Sequence, residues 1–109
     1  MALSRSPQKY KPITESIIAV VKGIPRGYVA SYREIAERAG YPGAARQVAR
    51  TLSSLSDKEH LPWHRVVNSQ WKISLKGEGE SIQRLMLEEE GIIFCTDLIP
   101  LEYRWHTMT

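Results

Sequence analysis

Apolar residues recur along the first part of this chain with the spacing of an α-helix. Four of them between positions 13 and 21 fall on one helix face, which predicts an amphipathic helix over residues 13–22. Pro12 suits the first turn of this helix, because its ring presets φ and no N–H is lost there. Gly23 follows the last apolar position and is expected to end the helix.

Two shorter helices are predicted next, with a glycine-containing break between them. Ser31 and Glu34 form a capping-box pattern at the start of the first helix, and Gly40 ends it. The second is predicted from about Ala44 to Leu55. Two such helices joined by a break of about four residues are typical of a helix-turn-helix.

The second of these helices has two chemically different faces. At 100° per residue one face is apolar, made of Ala45, Val48, Ala49, Leu52 and Leu55. The opposite face carries long hydrogen-bond donors, namely Arg46, Gln47 and Arg50. A solvated surface is the common meaning of such residues, but on the second helix of a helix-turn-helix a nucleic-acid face is predicted equally well.

The second half of the chain has a less regular pattern. A polar loop is expected at residues 56–60, and a small β-hairpin or wing from residues 66–67 and 72–74. Helical spacing returns over residues 82–89, and a short strand is predicted at 92–95. Three closing residues, Tyr103, Arg104 and Trp105, are expected to pack back on the core.

Composition places these elements in one globular unit. The chain has 109 residues, 42% hydrophobic and 25% charged, with a net charge of +3. We expect a disordered tail at residues 1–11 and one winged helix-turn-helix-like domain at residues 12–109. Its fold class is mainly α with a small β-hairpin, that is, α+β. The mild basic excess permits a polyanionic partner without proving one.

Apolar runs and cysteines narrow the class of protein further. No apolar run approaches the roughly 20 residues that span a bilayer, and the first residues have no apolar stretch like that of a signal peptide. Cys95 is the single cysteine, which excludes an internal disulfide and a Cys-rich metal site. We therefore expect a cytoplasmic protein, associated with the nucleoid if bacterial, with no cofactor, metal or membrane partner.

Pro62, Trp63, His64 and Arg65 concentrate unusual chemistry in four consecutive positions. A turn former, the largest aromatic ring, a titratable imidazole and a fixed cation follow one another. Pro62 fixes its own φ and pushes Leu61 toward extended geometry, so Trp63 is held at a defined angle. On composition alone, a core tryptophan that anchors a hairpin is the favoured interpretation.

The order of motifs along the chain resembles a known family. The chain contains Pro25-x-Gly27, Ser31-Tyr32-x-x-Ile35-Ala36, Ala44-Ala45-Arg46-x-Val48, Pro62-Trp63-His64-Arg65-Val66-Val67-Asn68 and Leu87-x-x-Glu90-Gly91. This combination resembles the DNA-binding domain of the alkylguanine-DNA alkyltransferases over roughly residues 13–105. Those proteins carry Pro-Cys-His-Arg-Val at the central motif, and their cysteine accepts the alkyl group. With Trp63 at that position, the chain is similar to the alkyltransferase-like, non-transferring branch.

The resemblance implies a protein that is not an enzyme. Alkyl transfer needs a thiolate, whereas the indole nitrogen of Trp63 is only a donor. Cys95 lacks the Pro62 turn and an adjacent histidine, and we expect it to be buried in a strand. His64 and Glu90 match the pair that activates the family's cysteine. Without a nucleophile, we expect them to form a structural hydrogen-bonded pair.

The resemblance also implies how DNA would be bound. The family enters the minor groove and flips the damaged nucleotide into a pocket, at a cost of a few kcal/mol. Arg46 matches the arginine that replaces the extruded base, and Tyr32 the tyrosine that crowds its phosphate. Trp63 would form a wall of the pocket, and Lys76 would lie over the base, although a solvated loop lysine is a serious alternative.

Three positions depart from the family pattern. Trp71 stands where the family has a glycine in the wing turn, a residue that often supplies a positive φ. Arg50 replaces a glycine on the groove-facing side of the second helix. Leu55 replaces an asparagine that braces the active-site turn, which is consistent with a chain relieved of catalysis.

The prediction is thus a sensor that binds O6-alkylguanine in duplex DNA as a monomer and flags it, without alkyl transfer, for nucleotide excision repair proteins. A sequence-specific helix-turn-helix regulator is the alternative, although no extra dimerisation element is evident. An enzyme that uses His64 and Glu90 would need a nucleophile or metal that the sequence does not supply. The predicted DNA-binding and lesion-pocket residues are Ser31, Tyr32, Ala45, Arg46, Gln47, Arg50, Pro62, Trp63, His64, Arg65, Val66, Asn68 and Lys76.

Overall fold

The computed structural model describes residues 9–105, which form a mixed α+β domain, as predicted. Its helices and strands, in chain order, are α1 (Pro12–Lys22), β1 (Ala30–Ser31), α2 (Tyr32–Arg38), α3 (Ala45–Glu59), β2 (Val66–Val67) and α4 (Glu78–Glu89). Single 3₁₀ turns lie at Trp63–Arg65 and Leu101–Tyr103. Among the described residues, no helix is long and apolar enough to cross a membrane.

The two short strands separate two hydrophobic cores. β1 and β2 pair in parallel, with Ala30 opposite Val66 and Ser31 opposite Val67. Successive strand residues point to opposite faces, so Ala30 and Val66 join the core formed by α1, α2 and α3, whereas Val67 joins a second core. The buried members of that second core are Val29, Val67, Leu87, Ile92 and Ile99.

The helix-turn-helix begins and breaks where the sequence predicts. The Ser31 hydroxyl accepts the Glu34 N–H at 3.1 Å, which caps α2. The Glu34 carboxylate does not complete the capping box, because its Oε1 lies 3.9 Å from Arg38 Nε instead. Gly40 has φ of +90°, and the next amide, that of Tyr41, donates to the Ala36 carbonyl at 2.9 Å. This is the glycine-dependent helix end expected from the sequence.

The prediction of a loop at residues 56–60 is wrong for all but its last residue. α3 continues to Glu59 and ends at His60, whose φ of 55° is left-handed although it is not a glycine. The Leu61 N–H then donates to the Ser56 carbonyl at 2.9 Å. The helix end lacks the glycine on which the sequence prediction relied.

The predicted hairpin is also wrong in its strand pairing, because β2 pairs with β1 and not with residues 72–74. What remains of the wing is a turn organised by Asn68. Its side-chain oxygen accepts the amides of Gln70 and Lys72, at 2.9 and 3.0 Å. Trp71 occupies this turn with φ of 63°, so it keeps a left-handed backbone despite its side chain.

The strand predicted at residues 92–95 does not form. Ile92 is buried, but the segment is irregular, and Cys95 is exposed instead of buried. Its apolar composition reflects one anchoring isoleucine and not a paired strand.

The first and last residues that the structure describes are held to the domain. Val29 donates to the Tyr103 carbonyl and accepts the Trp105 N–H, both at 2.8 Å, which confirms that the closing aromatic segment packs back on the core. Of the predicted tail at residues 1–11, residues 1–8 lie outside the described part of the chain. Tyr10 does not behave as a free tail, because its hydroxyl donates to Glu59 at 2.7 Å.

Candidate nucleic-acid interface

The loop between α3 and β2 presents Trp63 in a fixed backbone geometry. The Trp63 N–H donates to the Leu61 carbonyl at 2.8 Å, and the Arg65 N–H donates to the Pro62 carbonyl at 3.0 Å. The Trp63 ring is half-buried, packs on the first core and stands edge-on to the His64 ring, with centroids 6.2 Å apart. Part of the indole thus packs against the protein, and the rest of the ring is accessible to solvent.

Glu90, directly after α4, binds two separate segments, the Trp63 loop and the turn after α1, through one carboxylate. His64 Nε2 lies 2.5 Å from Glu90 Oε2, which confirms the predicted structural pair. The Arg65 guanidinium donates to the same carboxylate through Nε at 3.0 Å and Nη2 at 2.9 Å. The Gly27 N–H donates to Oε1 at 2.8 Å. Because a carboxylate only accepts, His64 donates to Glu90 through an Nε2 proton.

The charge on Glu90 is stabilised in this site. Burial raises the pKa of a carboxyl group, but the hydrogen bonds from Arg65, His64 and Gly27 outweigh it and lower the pKa of Glu90 to about 2. The carboxylate therefore remains ionised at any pH at which the protein is expected to work.

Arg65 and Gln83 hold the same loop from two further directions. Arg65 Nη1 donates to the Ile24 carbonyl at 2.9 Å, so this predicted site residue is committed to internal contacts. Gln83 is 2% exposed and donates through Nε2 to the carbonyls of His64 and Val66, at 3.0 and 2.9 Å. Gln83 was not predicted from the sequence to belong to the site. A polar residue four positions before Leu87 on the buried face of α4 was the available signal.

A cavity of about 370 Å³ lies beside Trp63. Among the predicted site residues, Trp63 is the one in the described chain that lines it. The other lining residues come from α3 and are Leu52, Ser53, Ser54, Ser56 and Asp57. These polar residues were not predicted to belong to a site, because the helix was predicted to end at Leu55, before Ser56.

The outer face of α3 is free to meet a partner. Arg46 and Arg50 are exposed, and within residues 9–105 neither guanidinium makes a hydrogen bond or an ion pair. Ala45 begins the helix and leaves its first turn uncrowded. Gln47 and Arg50 border a second groove of about 320 Å³ between α3 and the chain before α1, and Ser54 lines both cavities.

The remaining predicted site residues do not line the cavity beside Trp63. Ser31 is buried as the cap of α2, and Tyr32 follows it with its hydroxyl 3.4 Å from Ser74 Oγ, which ties α2 to the wing. Val66 is buried in β2 and Asn68 organises the wing turn. Lys76 is exposed in the loop before α4. The site thus combines permanently charged arginines on α3 with the half-buried Trp63 ring and a cavity beside it. This combination is suited to binding a polyanion that carries planar bases.

Comparison with known proteins identifies what this geometry is similar to. Residues 12–92 match the family described as "6-O-methylguanine DNA methyltransferase, DNA binding domain". A protein named "DNA base-flipping protein" from Vibrio parahaemolyticus is 54% identical over 76 residues, which is 70% of this chain and 76% of that protein. A protein of the same name from Escherichia coli K12 is 41% identical over 101 residues, 91% of this chain and 78% of that protein.

A solved structure is similar over almost the whole chain. It is Schizosaccharomyces pombe Atl1 in complex with damaged DNA containing O6-carboxymethylguanine. The match has a TM-score of 0.78 and 36% identity, and covers 92% of this chain and 100% of that one.

The lowered pKa of Glu90 makes the stability of the fold depend on acid in a defined window. The folded pKa is depressed from 4.5 to about 2, so the stabilising contribution is complete above pH 4.5 and is lost as the pH falls toward 2. We expect the free energy of unfolding, measured by urea denaturation, to fall by on the order of 3 kcal/mol across this window through Glu90 alone. Glu90→Gln should be less stable at neutral pH and should lack this part of the acid dependence.

Glu89→Gln is the matched control, since Glu89 is the exposed neighbour on the same helix. It should retain the wild-type acid dependence. The assignment to Glu90 is wrong if Glu90→Gln and Glu89→Gln lose stability in parallel as the pH falls.

Gln83→Met should weaken the support under Trp63. The substitution keeps the approximate volume but leaves the His64 and Val66 carbonyls without their donor, which costs about 1–3 kcal/mol. We expect a lower free energy of unfolding and faster amide hydrogen exchange at residues 64–67. Gln70→Met, at an exposed position of the wing turn, should change neither. Unchanged stability and exchange in Gln83→Met would show that these two hydrogen bonds are dispensable.

Proposed function

Because this chain belongs to the family of the 6-O-methylguanine DNA methyltransferase DNA-binding domain, we propose that it recognises O6-alkylguanine in duplex DNA without transferring the alkyl group. The observation that carries the proposal is Trp63 itself. Its ring is held between Pro62 and the Glu90-bound His64, beside a cavity, at the position where the family resemblance expects the acceptor cysteine. Relatives named DNA base-flipping proteins support a role in recognition.

The site residues support binding without chemistry. The Trp63 indole nitrogen is a donor without a nucleophilic lone pair, and His64 is not among the described residues that line the cavity with the serine hydroxyls. Cys95 does not line the cavity. The histidine–glutamate pair of a catalyst is used here to hold a loop.

In our proposal α3 enters the minor groove, and Arg46 fills the space that the flipped base leaves. A planar guanidinium can stack on neighbouring bases and hydrogen-bond to the unpaired partner base. Arg50 and Gln47, further along the exposed face, contact phosphates. Tyr32 approaches the phosphate of the flipped nucleotide from the start of α2, where its hydroxyl is already oriented beside Ser74.

The flipped base would enter the cavity beside Trp63, with the indole as one wall. The cavity volume of about 370 Å³ lies within the range of small-molecule sites. Leu52 adds an apolar wall, and the serine hydroxyls of α3 can bond to the polar edge of a purine. Lys76, from the loop before α4, would lie over the base. We further propose that the bound lesion is passed, by a monomer in the cytoplasm, to nucleotide excision repair proteins.

A sequence-specific regulator is the competing function, because α2 and α3 form a helix-turn-helix. The deciding experiment compares short duplexes of several sequences that carry either guanine or O6-methylguanine at one position. A lesion sensor prefers the methylated duplex in every sequence context by about tenfold or more, equivalent to about 1.4 kcal/mol. A regulator prefers one sequence regardless of methylation.

Arg46→Ala should remove much of the preference for the lesion. We expect the binding free energy for the O6-methylguanine duplex to weaken by about 1–3 kcal/mol, which is the scale of a stacking contact to a base. Fluorescence anisotropy measures the affinity. The affinity for the undamaged duplex should change less. Tyr32→Ala should act in the same direction.

Arg50→Ala provides the comparison on the same face of α3. As a phosphate contact it should weaken binding to both duplexes equally and flatten the dependence on salt. Arg33→Ala removes an exposed arginine that is paired with Glu37 on α2, and it should leave both affinities unchanged. The flipping model fails if Arg46→Ala and Tyr32→Ala bind the lesion as tightly as the wild type.

Trp63→Ala should narrow the affinity gap between the methylated and undamaged duplexes, because the wall of the pocket is lost. A ring that merely fills space would cost stability, up to about 3–5 kcal/mol if fully buried, with no specific change in lesion preference. Thermal unfolding of the variant is measured beside the two affinities. An unchanged ratio in a folded Trp63→Ala protein contradicts the wall.

Trp63→Cys should not restore rapid alkyl transfer. A thiol needs its reacting carbon within about 3–3.5 Å, and a pocket shaped around an indole holds that carbon further away. Incubation with radiolabelled methylated duplex should leave the wild type and this variant without stoichiometric label. Rapid methylation of Trp63→Cys would refute the geometric argument.

A further inference from the structure

The outward side of α4 carries two apolar residues between two carboxylates. Glu78, Ile82, Leu85 and Glu89 are spaced by four, three and four positions, so they form one line along the helix. Ile82 is 51% exposed and Leu85 is 57% exposed. Both lie in the segment that was predicted to be helical from its spacing. We call these four residues the α4 outer line.

The α4 outer line points away from the Trp63 loop. Gln83, which binds that loop, lies about 160° around the helix from Leu85. The inner side of α4 therefore supports the candidate DNA site, whereas the outer line faces away from it.

The surface at the start of α4 is concave. An open groove of about 670 Å³ is lined by Gly77, Glu78, Glu80, Ser81 and Ile82. The exposed side chain of Leu75 packs against Gly79 and adds apolar surface beside it. This open groove thus places the exposed Ile82 side chain beside the carboxylates of Glu78 and Glu80.

Charge indicates what would bind there. Residues 77–103 contain seven acidic residues and one basic residue, whereas residues 1–76 contain thirteen basic and five acidic residues. The one basic residue, Arg84, lies over the Phe94 ring at 4.4 Å and 3.9 Å from Asp97. Within residues 9–105 the carboxylates of Glu78, Glu80, Glu88 and Glu89 form no ion pair. DNA would be repelled from this side.

We propose that the α4 outer line is a docking surface for another protein, which presents an amphipathic helix with apolar residues flanked by Lys or Arg. Two exposed apolar side chains at helical spacing on α4 can pack against the apolar face of a second, amphipathic helix. The unpaired carboxylates at both ends match basic residues and would disfavour acidic partners. The protein would thus have a basic side for DNA and a separate acidic, apolar side for a protein partner. This inference does not depend on the proposed lesion specificity.

The test uses a synthetic amphipathic helical peptide of Leu and Lys, and it records amide chemical shifts of the isotope-labelled full chain. We expect shift changes confined to residues 75–89, and no binding of the matching Leu and Glu peptide. Ile82→Ser with Leu85→Ser should weaken binding of the Leu and Lys peptide at least about tenfold. Glu78→Gln with Glu89→Gln should weaken it less and should flatten its dependence on salt.

Matched controls separate this surface from general stickiness. Ile93→Ser and Leu101→Ser remove apolar residues that are even more exposed, at 66% and 71%, but that lie outside α4, and they should leave peptide binding unchanged. The Ile82→Ser, Leu85→Ser variant should bind duplexes like the wild type, so a failure here leaves the DNA proposal untouched.

Several results would overturn the docking surface. They are an absence of peptide binding, equal binding by the Ile82→Ser, Leu85→Ser variant, or shift changes centred on α3. Analytical ultracentrifugation tests the remaining occupant, a second copy of this chain. A dimer that the same two substitutions dissociate would show that the α4 outer line binds itself and not a basic partner.

Discussion

One carboxylate holds the candidate site together. Glu90 receives hydrogen bonds from His64, Arg65 and Gly27, which lie on the Trp63 loop and on the turn after α1. A buried carboxylate without partners would be strongly unfavourable, whereas here each oxygen is satisfied by charged or backbone donors. Arg65 extends the network to the Ile24 carbonyl. The position of Trp63 therefore depends on contacts between residues that are far apart in sequence, and the ring is oriented before any ligand arrives.

Local signals in the sequence predicted the helices well and the tertiary pairings poorly. Pro12, the Ser31 cap and the glycine after α2 act within a few residues, so pattern alone located α1 and the helix-turn-helix. The pairing of β2 with β1 joins segments more than thirty residues apart, and no short-range pattern encodes it. His60 ends α3 without glycine, which is why the helix was predicted to end a turn too early.

The parts of the candidate site that could be predicted are the residues whose positions the family resemblance supplied. The His64–Glu90 pair follows from the motif order and is present in the structure. The role of Gln83 and the α3 side of the cavity could not be predicted, because both depend on how α4 and the end of α3 pack beside the loop. For the same reason the internal role of Arg65 could not be predicted. Its guanidinium binds the Glu90 carboxylate and the Ile24 carbonyl, and both are distant in sequence.

The charge of the molecule is unevenly distributed along the chain. Residues 77–103, which include α4, hold seven acidic residues and one basic residue, whereas the exposed cations Arg46 and Arg50 lie on α3. The protein therefore has an electric dipole that its modest net charge of +3 does not reveal. In the field of a polyanion such a molecule turns while it is still diffusing, and α3 leads. Orientation during the encounter increases the fraction of productive collisions, most strongly at low ionic strength, without requiring any additional contact in the complex.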